Sequence, residues 1–387
     1  MDLKINHYHK FRCTADQCTF TCCQEWRIGV DKATLKKWQG LKLQGKETLD
    51  NKQTELIVAQ CVKKDGDGHV ISLNQDKKCP FLNKEKLCRL VLELGEGYLS
   101  ETCTTFPRQI NHFEDRIEYS LDTGCPVVVD LLSDSSDKIE FHQEGELLKE
   151  PSLLYFVREM ILSIMEKETY SLPERLMITF YTLLELLEQK QLTKEKIESL
   201  TSHKALDLVA DAIRGMEFNL ADSFFECNEL FLDVVENYRK QKLYVDYLES
   251  VAQKSEALEG EYDEAFILDK VLCFEKELLA YEKLLKNYLV SEIFGSCLMQ
   301  DMTLEEVVMS FEWVTLEYVV LRQVLFLKWF IEGEKNLEYI MVRDYINVIS
   351  RVTGYETSDI REYLENSFES AIWEWGYLAL IVGNSNL

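Results

Sequence analysis

The chain has 387 residues, 46% hydrophobic and 29% charged, with a formal net charge of −25. That is a globular composition with a sizeable core, and its acidity argues against a nucleic-acid partner, because phosphate binding needs a basic surface. Residues 1–130 hold 19 basic and 19 acidic side chains, so the negative excess lies on residues 131–387, where it favours solubility and attracts basic partners.

The opening MDLKINHYHKFRC lacks the apolar run and small-residue cleavage site of a signal peptide. A cytoplasmic protein with reduced thiols is therefore expected. Short helices are predicted at 31–39 and 85–95, a turn at DGDGH (65–69), and a short strand from Ile117 to Leu121. Leu153, Val157, Met160, Ile161 and Ile164 recur at helical spacing, as do Leu206, Val209 and Ile213. Ser171 and Glu174 form a capping-box pattern around Pro173, and Thr303 and Glu306 form another. No proline follows Pro173, which predicts helix after helix. Val314 to Phe330 is the most apolar stretch, but it carries Glu317, Arg322 and Lys328. It reads as a buried helix, not a membrane span. A last helix is predicted over 357–380, with Ile360, Leu364, Phe368 and Ile372 along one stripe. The expected fold is mainly α: a small irregular, metal-stabilised cysteine-rich domain over residues 1–130, joined to an acidic all-helical domain over 131–387.

The chemistry lies in the first part. Nine of twelve cysteines precede residue 126. Apart from Cys61, they read Cys13-x4-Cys18-x3-Cys22-Cys23 and Cys79-x8-Cys88-x14-Cys103-x21-Cys125. A single buried cysteine is an ordinary core residue, whereas eight in one reducing-compartment domain point to metal ligation. Soft thiolates serve zinc and iron–sulfur clusters alike, and the spacing matches neither a zinc ribbon nor a ferredoxin run. Adjacent side chains of an extended segment point to opposite sides, so the Cys22–Cys23 pair suits a multinuclear site better than one tetrahedral ion. Cys61, Cys227, Cys273 and Cys297 are isolated and read as core or surface residues.

Four ordered stretches carry a resemblance. CTFTCCQEWRIGVD (18–31), CPFLNKEKLCRL (79–90), ELGEGYLSETCTTFPR (93–108) and EYSLDTGCP (118–126) resemble the cysteine motifs of the flagellin lysine-N-methylase family, within the CxxCxxCC group. The resemblance covers the first third of the chain. Two positions depart from the pattern. Glu25 stands where a small residue, often Gly, precedes the tryptophan, and Val127 replaces an acidic residue after the last Cys-Pro. The resemblance implies a protein lysine N-methyltransferase that uses S-adenosylmethionine and a cysteine-ligated iron–sulfur cluster, 4Fe-4S in type, with zinc as the alternative metal. Flagellin or another lysine-bearing protein would be its substrate. Cys13, Cys18, Cys22, Cys23, Cys79, Cys88, Cys103 and Cys125 are the candidate ligands. Eight exceed the needs of one four-iron cluster, so some stand behind the ligands or serve another site. Rival readings are a zinc-stabilised interaction protein without catalysis and an iron–sulfur redox or sensor protein.

No glycine-rich nucleotide turn and no C-x3-C-x2-C is present, so S-adenosylmethionine would need a different pocket. Arg108 is the candidate for its carboxylate, since a guanidinium forks onto such a group; the competing use is an ion pair with Glu101 or Glu118. Trp26, Tyr98, Tyr119 and Asp122 lie near the motifs and could hold a cation or accept a proton, although core packing is the plainer role for the aromatics. His112 reads as an exposed loop residue.

Overall fold

The computed structural model describes residues 1–44, 56–135, 138–146, 149–354, 357–368 and 373–383. The first part is built of short elements. β1 (Asp2–Ile5) opens the chain. α1 (Lys32–Trp38) begins at Asp31, whose carboxylate accepts the Thr34 N–H at 2.8 Å. β2 (Lys42–Leu43) pairs with β3 (Leu56–Ile57), and β4 (Val62–Asp65) pairs with β5 (Gly68–Ile71). The DGDGH turn closes that second hairpin, with Gly66 at φ 55. Then come α2 (Arg89–Leu94), α3 (Glu101–Thr105), β6 (Arg108–His112), β7 (Ile117–Leu121), α4 (Pro126–Ser133) and β8 (Phe141–Glu144). The helix expected over 85–95 begins only at Arg89, because the Asn83 side chain captures the N–H groups of Glu85 and Leu87 in a turn.

One sheet ties this part to the rest. Its strand order is β6-β7-β1-β8. β1 runs parallel to β7, with Leu3 opposite Glu118, and antiparallel to β8, with Leu3 opposite Gln143. Leu3 and Ile5 are buried in the core of the helical body.

From Leu153 onward every regular element among the described residues is helical, and the protein is mainly α. The helices are α5 (Leu153–Met165), α6 (Leu172–Leu187), α7 (Lys194–Leu200), α8 (His203–Arg214), α9 (Leu220–Gln241), α10 (Val245–Glu261), α11 (Glu264–Leu278), α12 (Glu282–Ser296), α13 (Leu304–Ile331), α14 (Tyr339–Val352), α15 (Thr357–Phe368) and α16 (Trp375–Val382). Both capping boxes form, at the starts of α6 and α13. α13 is the central rod. It is apolar and buried nearly all round, as expected of a helix enclosed by others. Its charged Arg322 pairs with Glu275 at 2.5 Å. The helix expected over 357–380 occurs as α15 and α16, with Ile360 and Leu364 buried; Ile372 lies outside the described residues. No helix among the described residues is long and apolar enough to cross a membrane.

The core is divided. A large cluster fills the helical body and takes in Phe20. A smaller one, around Ile28, Val30, Trp38, Val58, Phe81 and Leu90, underlies the loops of the first part. Cys23, Trp26, Cys88 and Cys103 pack against that second core.

Candidate metal centre

Backbone hydrogen bonds bring the four cysteine motifs together. The first is joined to the second by Cys79 N–H donating to the Cys23 carbonyl at 2.8 Å and Glu25 N–H donating to Lys77 at 2.8 Å. Trp26 folds back over its own loop. Its indole N–H donates to the Cys22 carbonyl at 2.5 Å, and its ring lies 5.0 Å from that of Phe106. The second motif closes on itself where Arg89 N–H donates to Phe81 at 2.7 Å, placing Cys88 just before α2. Cys103 lies in α3, whose Ser100 hydroxyl accepts the Cys103 N–H at 3.2 Å. The Asp31 carboxylate caps α1 and also accepts the Glu101 N–H at 3.0 Å, so α1 and α3 share one carboxylate. Cys125 caps α4, with Pro126 at the first helical position.

The thiols of these motifs influence one another. Cys22 is the hub. Its charge acts on Cys18, Cys23, Cys88, Cys103 and Cys125. Cys23 packs with Cys79 and Cys88 around the second core, and both of them add to its raised thiol. Burial pushes the Cys103 thiol up to about 11 and Cys125 up to about 12, with neighbouring thiols adding to both. Cys79 is raised by burial, then by Cys88 and Cys103. Cys22 alone is brought down, to about 7, by a hydrogen bond from Cys23, opposed by burial and aided by the Arg351 guanidinium. Cys13 is exposed and its charge acts on Cys18. All twelve cysteines are free thiols. No three His, Cys, Asp or Glu among the described residues are arranged to hold a single metal ion. The donor chemistry nevertheless fits a soft, thiolate-bound group. These are sulfur donors that hinder one another's ionisation when alone, and a bound cationic centre relieves that repulsion.

Of the isolated cysteines, Cys61 lies in the second core with Cys79, whose thiol it helps to raise. Cys61 is buried, with its burial raising it to about 11, and Cys227 and Cys297 lie in the core of the helical body. Arg108 is half-buried with its guanidinium 4.9 Å from the Phe11 ring. It forms no ion pair among the described residues. Glu118, one expected partner, is taken by Arg116 at 2.5 Å and by Arg158. Tyr119 packs against Tyr8, and Tyr98 lies under Lys37. His112 is exposed at the end of β6.

Asp122, half-buried within the fourth motif, accepts the Gly124 N–H at 2.7 Å. Burial raises its carboxyl above the usual range. Next to it, the Thr123 hydroxyl donates to Glu292 of α12 and lies 2.8 Å from the Ser350 hydroxyl. Glu292 is pushed up to about 7 by burial and by the Asp122 charge. Glu317 of α13 is raised by burial and by Glu292, and receives the Tyr288 hydroxyl at 3.4 Å. Sequence reasoning missed Glu292, Ser350 and Arg351, because the helices that carry them bear no motif.

The comparisons with known proteins converge. The family described as "FliB lysine N-methylase C-terminal domain" matches residues 158–381, more than half of the chain. This is the helical region in which no motif is legible. The flagellar biosynthetic protein FliU of Salmonella muenchen is 29% identical over 157 residues, 40% of this chain and 90% of that protein. The lysine-N-methylase of Salmonella typhimurium LT2 is 29% identical over 137 residues, 35% of this chain and 33% of that protein. The lysine-N-methylase of Salmonella choleraesuis SC-B67 matches to the same degree over 136 residues. The match thus spans about a third of the length of either lysine-N-methylase. No solved structure matches.

Proposed function

Because the chain belongs to the FliB lysine N-methylase family, we propose that it is an S-adenosylmethionine-dependent protein lysine N-methyltransferase whose thiol cluster holds an iron–sulfur centre. The observation that carries this reading is the way hydrogen bonds join the four cysteine motifs: the first to the second through Cys23 and Cys79, the first to the third through Asp31 and Glu101, and the first to the fourth through Arg351. Cys18, Cys22, Cys23, Cys79, Cys88, Cys103 and Cys125 would hold the centre, with Cys13 at its edge. When bound, such a centre supplies a Lewis-acidic metal site to which a cofactor's amino and carboxylate groups can coordinate. Arg108, free of any carboxylate partner among the described residues, would bind the carboxylate of the methionine moiety.

In the transfer, the neutral lysine amine attacks the sulfonium methyl carbon, a C–N bond forms, the C–S bond breaks, and S-adenosylhomocysteine leaves. The ammonium proton must first pass to a base. Residues 1–130 would form the metal-binding unit, and the acidic surface of residues 131–387 would draw in a lysine-rich partner such as flagellin. The free thiols suit a reducing, cytoplasmic setting.

Anaerobic purification with iron, sulfide and zinc analysis tests the centre, and S-adenosylmethionine binding followed by methyl transfer to flagellin tests the activity. Bound iron and sulfide with transfer of labelled methyl to lysine is the expected result. Zinc without iron would remove the iron–sulfur assignment. Cofactor binding without transfer to flagellin would leave the activity and change the substrate.

A further inference from the structure

We propose that α14 is a working part of the thiol site and that Arg351 is its positioning residue, clamping the loop of Cys18 and Cys22 against the turn that carries Cys125. The proposal rests on the thiol cluster being the metal-binding site.

α14 presents two kinds of surface. Val342, Ile346, Ile349 and Val352 are buried in the helical core. Arg343, Asn347, Ser350 and Arg351 fall at spacings of four, three and one, which puts them along one stripe. Every one of these four touches a cysteine motif. The Arg343 guanidinium donates to the Thr19 hydroxyl at 2.8 Å. The Asn347 amide donates to the Thr123 carbonyl at 2.6 Å, and the Ser350 hydroxyl lies 2.8 Å from that of Thr123. Arg351 spans both motifs. It donates to the carbonyls of Phe20 at 3.3 Å, Thr21 at 3.0 Å and Gly124 at 2.8 Å. Its guanidinium lies 4.2 Å from the centre of the Phe20 ring.

The chemistry of those contacts matters. The planar guanidinium uses its fixed fork of donors on three backbone carbonyls, a geometry that an ammonium on a flexible stem does not reproduce. Arg351 forms no ion pair among the described residues, so its charge is not neutralised by a touching carboxylate; Asp122 and Glu25 lie only within electrostatic range. A cation held there by neutral carbonyls faces a site whose filled form carries several thiolates. Gly124 belongs to the same arrangement. A Cβ at that position would stand 3.0 Å from Arg351 Cγ and 2.9 Å from Asp122 Oδ1, so the turn accepts Arg351 only because it lacks a side chain.

The test uses the full chain with Arg351→Gln and Arg351→Lys. Two readouts are taken anaerobically: iron and sulfide content, and the alkylation rate of each cysteine by iodoacetamide, read by mass spectrometry on metal-free protein. Arg351→Gln is expected to lower the iron content at least threefold. It should speed alkylation of Cys18, Cys22 and Cys125 at least threefold, with Cys227 and Cys297 unchanged. Arg351→Lys should restore part of the iron but little of the protection, because the charge returns without the fork. Unchanged alkylation of Cys18, Cys22 and Cys125 in Arg351→Gln would overturn the proposal. So would acceleration that extends equally to Cys227 and Cys297, which would make Arg351 a general stabiliser. If the wild type binds neither iron nor zinc, the cluster reading fails on the metal analysis alone, and the alkylation pattern still decides the clamp.

Discussion

The Glu25 carboxylate accepts the backbone N–H of Tyr244 at 3.0 Å, and both residues have left-handed backbones, with φ of 63 and 52. The contact joins the loop of Cys22 and Cys23 to the start of α10. It also explains a sequence anomaly. The position before Trp26 requires positive φ, which glycine adopts freely and other residues adopt at a penalty. Glu25 accepts that strain and gains an acceptor for an N–H at a helix start. Three variants separate the two effects. Glu25→Ala keeps the strain and loses the bond, and should destabilise by about 1–3 kcal/mol. Glu25→Gly loses the bond but relieves the strain, recovering about 1 kcal/mol of this. Glu25→Gln keeps an acceptor and should be mildest. Chemical denaturation of the three proteins checks the order, and an alanine variant as stable as the glycine variant would contradict it.

Substitutions at two glycines should act in opposite directions. Gly124→Ala forces a methyl against Arg351 and Asp122 and should cost about 1–3 kcal/mol. Gly260 lies within α10, and a methyl group added there would meet nothing within 4 Å. Gly260→Ala should therefore stabilise by about 0.5–1 kcal/mol, because glycine loses the most backbone freedom in a helix. Paired urea titrations measure both.

Glu292 gives a dependence on pH. Its folded value of about 7 lies above its ordinary 4.5. Between these limits the folded protein keeps the proton and the unfolded chain has released it. Stability from this group therefore falls as pH rises from 4.5 to 7 and levels off above, with a slope of at most about 1.4 kcal/mol per pH unit. Glu292→Gln cannot ionise and should flatten the stability profile across that window. A profile from pH 4.5 to 7 as steep as that of the wild type would show that Glu292 does not titrate there. Asp122 and Glu317 are raised by burial as well; in the variant Asp122 keeps its contribution, while Glu317 keeps the part due to burial and loses the part due to the Glu292 charge.

Glu118 lies between Arg116 and Arg158, all three buried, beneath the β1–β7 pairing. Glu118→Gln leaves two guanidinium groups in the interior with only Asp115, at 2.8 Å from Arg116, as a close carboxylate for either of them besides the weaker 3.5 Å contact of Arg158 with Glu159. A loss of about 3–5 kcal/mol is expected. Pairing Glu118→Leu with Arg158→Met removes a charge of each sign and should recover much of it. Equal losses in the single and double variants would contradict this.

What could be read from the sequence was local. Ser171 with Glu174, and Thr303 with Glu306, mark real helix starts because a capping box lies within four residues. DGDGH marks its hairpin because positive φ at Gly66 is a property of one residue. The four cysteine motifs were legible as ordered stretches, because each lies within a short run of residues. Features made by distant partners were not. DLKI becomes a strand only through residues 117–119 and 141–144, and four residues of mixed polarity carry no signal for that. Arg351 looks like any arginine in the last turn of a helix until the fold sets it against Phe20 and Gly124. Glu317, in contrast, stands out as a charge in an apolar run. Its burial beside Tyr288 and Glu292 depends on where α12 lies.

The link between Arg351 and Thr21 spans 330 positions of sequence. A ribosome adds roughly 5–20 residues per second. The loop bearing Cys18 and Cys22 therefore waits roughly 20–60 seconds after its own synthesis before its last restraint emerges. During that interval the loop lacks its clamp, and oxidants and stray metals can compete for its thiols. Assembly of this site has to wait for α14, and its yield in a cell depends on the redox state met during translation as well as on the stability of the final fold.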